Sequence, residues 1–165
     1  MGKFFVVVIG IILGVVILVG VGSIIGSYQF TKTVDREIQA LYQGVKYDQQ
    51  VVTEADLVGL PDSVQTWLKK AQVVGKVKIV TARTTQDLQM RLAKDKPWMP
   101  AQAVQHFRTD KPGFIWKAKI KAAPLFHIAG RDKYLDGQGN MLIKLLSLFT
   151  VADGRGPEID QGSLL

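Results

Sequence analysis

The sequence predicts a single-pass membrane protein carrying one α+β domain, with short helices followed by a mainly antiparallel, curved β-sheet. Three observations predict it. Phe4 to Ile25 is a run of 22 residues without a charge. The next stretches repeat their apolar residues at helical spacing. From Val77 onward the apolar period falls to two, and Pro- or Gly-containing turns punctuate the chain.

The apolar run is long enough to cross a bilayer. At about 1.5 Å per residue, a helix of that length reaches about 33 Å, against a hydrocarbon core of about 30 Å. A helix also satisfies its own backbone there, as lipid requires. The run exceeds the apolar stretch of a secretory signal, and no A-x-A-like site follows it, so a retained anchor is expected. Lys3 precedes it, and Lys32 and Arg36 follow. A short tail before a first helix usually stays in the cytoplasm, which puts the domain on the outer, periplasmic or extracellular side. Gly10-x-x-x-Gly14 and Gly22-x-x-x-Gly26 match the small-residue pattern by which membrane helices approach one another.

The expected organisation is an anchor at 1–26, a juxtamembrane amphipathic helix within 27–50, and an α+β domain at 51–165. In the second segment Val34, Ile38, Leu41, Tyr42 and Val45 recur on one face, and the helix should end near Gly44. It could lie on headgroups or pack on the domain, packing being the commoner outcome. Thr53-Glu-Ala-Asp56 reads as a capping box with Asp for the usual Glu. Pro61 suits a first helical position, and Val64, Trp67, Leu68 and Ala71 form an apolar face expected to enter the core.

Strands are expected around Val77–Ile79, Leu88–Leu92 and Phe114–Lys121, each with one apolar and one polar face. Turns fall at Lys96-Pro97, Lys111-Pro112-Gly113, Ala123-Pro124 and Asp136-Gly-Gln-Gly139. Lys117, Lys119 and Lys121 would form a basic row on one face, with Lys76 and Lys78 joining if their strand lies near. Such a row also blocks edge-to-edge aggregation.

Composition limits the chemistry. The chain has 165 residues, a net charge of +7, no cysteine and two histidines. Disulfides, thiol catalysis and cysteine zinc sites are excluded, and a histidine-rich metal centre is not expected. Between Lys69 and Lys121 thirteen Lys/Arg face three Asp. A solvated basic face explains this most simply. Beside a bilayer the same charge could lean on anionic headgroups. No nucleic-acid motif accompanies it. No cofactor is expected.

Polar candidates are few. Asp132 with His127 or His106 could serve as a general base, and Ser147 or Ser163 as nucleophiles, but neither serine has an elbow sequence. A structural Arg131–Asp132 pair is the preferred reading, and an enzyme is kept as the lesser alternative. Asp136-Gly-Gln-Gly-Asn140 lacks the sixth-position glycine and closing glutamate of a calcium loop and reads as a hairpin turn. Asp153, Glu158 and Asp160 are read as loop charges, with Asp160 as a helix N-cap. Trp98, Trp116, Phe126 and Met141 are candidate contacts for a lipid or other hydrophobic ligand, and an ordinary core is the alternative use of the same apolar side chains.

From Val52 onward the chain resembles a bacterial membrane-anchored family catalogued as a domain of unknown function. The matching pieces are Leu60-Pro61, Trp98-Met-Pro100, Pro112-x-Phe114-x-Trp116-x-Ala118, Gly130-Arg-Asp132-x-Tyr134, Gly137-x-Gly139-x-Met141 and Gly156-x-Glu158-x-Asp160. The resemblance implies a longer C-terminal continuation than this chain has, so a truncated product is expected. It implies no activity. The element order is similar to the curved open barrels of lipoprotein carriers, an analogy of fold alone. The leading expectation is a membrane-tethered envelope module for a lipid or hydrophobic ligand. An envelope enzyme and an assembly subunit are the alternatives.

Overall fold

The computed structural model describes residues 2–164. Its first element, α1, is an unbroken helix from Gly2 to Tyr42. No break separates the apolar run from the amphipathic stretch. Up to about Gly20 the run stands clear of the rest of the molecule, and the helix is long and apolar enough to span a membrane.

A six-stranded antiparallel meander follows: β1 (Thr81–Met90), β2 (Met99–Arg108), β3 (Gly113–Ala123), β4 (Phe126–Leu135), β5 (Gln138–Leu145) and β6 (Phe149–Arg155), in spatial order β1 to β6. All four turns expected from the sequence join consecutive strands. The fifth, Leu146–Leu148, has neither Gly nor Pro. Leu146 and Ser147 both adopt positive φ (53° and 58°), and Leu148 N–H donates to Leu145 O at 3.0 Å. This is the geometry of a tight primed hairpin, which usually takes Asn or Gly.

Helix α1 crosses one face of the sheet, called here the helix face. Phe30, Val34 and Leu41 bury against Ile115 and Ala129. Its last turn is held by Arg108, whose Nη1 donates to Leu41 O (2.9 Å) and Gln43 O (2.8 Å). A cation there satisfies orphan carbonyls and complements the helix dipole. Asp110 accepts two hydrogen bonds from the same guanidinium, which holds its carboxyl down at about 2.

Between α1 and the sheet lie the short 3₁₀ helix Glu54–Leu57 and α2 (Asp62–Lys70). Asp56 does close the expected box, accepting from Thr53 N–H at 2.7 Å. Two expectations are corrected. Val77–Ile79 is not a strand: Val77 makes only an isolated bridge to Val51, and β1 starts at Thr81. The apolar face of α2 does not enter the core, and Trp67 is 65% exposed. Its helical spacing is right, but no sheet face is presented to it.

The last helix, α3 (Pro157–Leu164), packs on the opposite face at the β5–β6 corner. Ile159 occupies the space where side chains at Gly139 and Gly154 would stand. Asp160 is not an N-cap. It lies inside α3 and accepts a hydrogen bond from Gly139 N–H (2.7 Å), pinning the helix to β5.

Candidate functional site

Strand register divides the predicted site residues between the two faces. Successive residues of a strand point to opposite sides. Arg131 therefore faces α1, where its Nε stands 3.1 Å from Glu37 Oε2 as an ion pair. Lys133 Nζ donates to Glu37 Oε1 at 2.7 Å. Asp132 points to the open face. The expected Arg131–Asp132 pair is thus not made; each adjacent charge serves a different layer. Asp132 pairs across the strands with Trp116 and Met141, and its Oδ1 is buried without a partner. Burial pushes its carboxyl above the usual range.

His127 lies on the helix face and so does not meet Asp132. Its Nε2 is 2.9 Å from Ser147 Oγ, and Ser27 Oγ donates to Ser147 Oγ at 3.0 Å. Ser147 is only 3% exposed, sealed beneath α1. A hydroxyl closed off in this way fixes a turn; it does not present a nucleophile to substrate. Burial, and next the Lys119 ammonium, hold the His127 imidazole below its usual value. His106, the other histidine, is bonded to Tyr42 Oη at 3.0 Å near the far end of the helix. Among the described residues no group of three or more His, Cys, Asp or Glu could hold a metal ion.

The basic row divides too. Lys117 donates to Thr31 Oγ1 of α1 at 2.9 Å. Lys119 and Lys121 continue past the helix contact and are exposed. Lys76 and Lys78 do not join them. Lys78 sits at the other end, paired with Asp56 at 2.8 Å.

The opposite face is organised in rows across the strands. One row reads Leu88, Ala101, Ile120, Ile128, Leu145 and Phe149, apolar in all six strands. The next contains Ala103, Ala118 and Gly130, a floor of small side chains. Trp116 lies over that floor. Its ring edge is 3.5 Å from the position of a Gly130 side chain, and its indole N–H donates to Gln86 Oε1 at 2.9 Å. Met141 stands across Asp132 from Trp116. Phe126 and Trp98, both more than half exposed, sit at the β3–β4 and β1–β2 hairpins, and Arg91 stacks 4.7 Å over the Trp98 ring. The four candidate ligand residues are therefore spread along one face and its end. They do not line a single chamber.

That end is the one nearest the apolar run. Ser23 Oγ of α1 donates to Leu146 O at 2.9 Å. A side chain at Gly26 would meet Ser147 O at 2.6 Å, and Gly22 faces Leu148 at 3.3 Å. The second Gly-x-x-x-Gly pair thus seats the protein's own β5–β6 turn, not a second membrane helix. Sequence reasoning missed this because the turn has no Gly, Asn or Pro to mark it. Ser23, Ser27 and Glu37, single polar residues on otherwise apolar or mixed helix faces, were the available signal.

An open α+β sheet attached to one candidate transmembrane helix defines the class of protein. Within that class the chain belongs to the family described as "Family of unknown function (DUF6544)", which it matches over residues 50–165. No curated protein and no solved structure matches the chain significantly.

Proposed function

We propose that the protein is a membrane-tethered module, on the outer side of the cytoplasmic membrane, that holds a lipid or similar hydrophobic ligand across the sheet face opposite α1. One observation carries this reading. The row from Leu88 to Phe149 is apolar in every strand and runs along the end of the sheet nearest the membrane helix, and α3 packs against β4, β5 and β6 of that face. Ala101 and Ile120 are buried with Leu88 and Ile128 half-buried against them, and Phe149 is 58% exposed, so the row is an apolar cluster that opens to the surface at Phe149, where a hydrophobic ligand would extend it. Trp116 covers the buried floor of Ala103 and Ala118 and supplies a flat apolar wall beside the row, with its polar edge already satisfied.

The test is native mass spectrometry of the full chain released from nanodiscs, comparing the parent protein with Ile128→Glu. Near-stoichiometric lipid on the parent, lost in the variant, supports the reading. Equal lipid on both means the annulus around α1 alone was retained, and the reading fails. The exposed Trp67 and Val64 of α2 favour a second reading, an assembly subunit, since they offer a partner protein an aromatic anchor.

A further inference from the structure

We propose that the membrane-proximal end of the sheet docks on anionic lipid headgroups, with Leu125 entering the acyl boundary and Lys119 and Lys121 at phosphate level.

The height of the sheet above the membrane is fixed by α1. Ser27 is level with Ser147 and His127. The β3–β4 hairpin runs two residues beyond His127, about 7 Å at about 3.3 Å per residue. In helical rise that equals about four residues. Leu125 therefore comes level with roughly Ser23, inside the apolar run that ends at Ile25. A hairpin held there meets the bilayer interface.

Leu125 itself is unusual. Its φ is +66° and it is 93% exposed. It follows Pro124 in the two-residue loop joining Ala123 to Phe126, the site where a type II turn takes Gly at no cost. A leucine there carries backbone strain and leaves its side chain in water, with no packing in return from the chain itself. Burial in the acyl boundary supplies that return.

Charge agrees with this placement. Residues 91–97, 119–127 and 144–149 form this end, and they contain six cations against one acid, Asp95. Lys119, Lys121, Pro124, Leu125, Phe126 and His127 line an open concavity of about 390 Å³, lysines above and apolar residues at the tip. Leu92 and Trp98 repeat the arrangement on the neighbouring hairpin beside Arg91, Lys94 and Lys96. Headgroup phosphates outside and acyl chains below would complement both parts.

The chain has no cysteine, so single spin labels can be placed at will. Leu125→Cys and Leu92→Cys would be labelled in the full chain, with Gln138→Cys at the opposite end of the sheet as reference. The label's exposure to oxygen and to a water-soluble nickel chelate would be read in nanodiscs with and without phosphatidylglycerol. The expected result is oxygen-rich, nickel-poor labels at 125 and 92 with the anionic lipid present, and a water-like label at 138. Lys119→Glu with Lys121→Glu should return the 125 label toward water. Water-like labels at both tips in anionic bilayers would overturn the proposal, as would protection that ignores the lysine replacements. Protection that disappears when the protein is diluted to one chain per disc would assign the surface to a second copy and overturn it equally.

Discussion

Ser147 holds the least sequence-legible position in the fold. Its backbone is left-handed, its hydroxyl bridges His127 and Ser27, and its carbonyl abuts Gly26. Ser147→Ala should cost about 1–3 kcal/mol by leaving buried partners unmatched, seen as a lower Tm in detergent. Asp132 shows the opposite case. Its raised carboxyl favours the protonated state on folding, so the ionised form lowers stability increasingly as pH rises above the unfolded value. Asp132→Asn should therefore raise Tm at pH 7, with the gain shrinking toward pH 4. A fall in Tm at pH 7 would show that the carboxylate has a partner the fold depends on. His127 and His106 are both held below the usual imidazole value by burial. Each resists protonation more in the fold than in the unfolded chain, so stability should decline as pH falls below about 6.5. Hydrogen exchange at pH 7.5 and 5.5 should show the helix–sheet contact loosening at acid pH. Local alternation was enough to place Asp132 and Arg131 on opposite faces, had it been applied through the Gly130–Tyr134 motif. The partners across 20 to 120 residues were not legible, because nothing local encodes them.

Helix α1 and the sheet are joined by size and by charge. Gly26→Leu would drive a side chain into the Ser147 carbonyl, whereas Gly14 has open space around it. Gly26→Leu should lower stability by about 1–3 kcal/mol, and Gly14→Leu should leave thermal unfolding of the sheet unchanged. Glu37→Ala would strand Arg131, which is only 5% exposed, together with Lys133. Removing one partner of such a buried set costs roughly 3 kcal/mol, read as a lower denaturation midpoint. Period and punctuation disclosed β3, only the last residues of β1, which ends at Met90 and not at Leu92, and four of the five turns. β2, β4, β5 and β6 were not named as strands; the Met-Pro-Ala-Gln-Ala-Val-Gln-His pattern of β2 alternates small with polar residues and looks like neither strand nor core. In β2, next to the edge strand, Ala101 and Ala103 are buried because neighbouring side chains close over them. The α2 face misled for the converse reason: periodicity reports an amphipathic helix but not whether a partner face exists.

The whole molecule hangs from one helix. The apolar run, the juxtamembrane face and the sheet's central strands share α1 as a common axis, and its two ends are fastened, by Ser23 near the membrane and by Arg108 at the far end. The sequence reading separated these as anchor and attached domain. An amphipathic helix continuing from the anchor was expected, and 41 residues do run on without a break. About 17 residues of that helix stand beyond Ile25, a shaft of about 26 Å. Membrane helices tilt to match bilayer thickness, on average by about 20° from the bilayer normal, so a change from upright to that mean is within their range. Carried up a stiff shaft, such a change would swing the far end of the sheet sideways by about 9 Å and press one hairpin toward the lipid while lifting another. The bilayer's thickness thus becomes a mechanical input to the domain, with α1 as the lever and the hairpin tips as its feet.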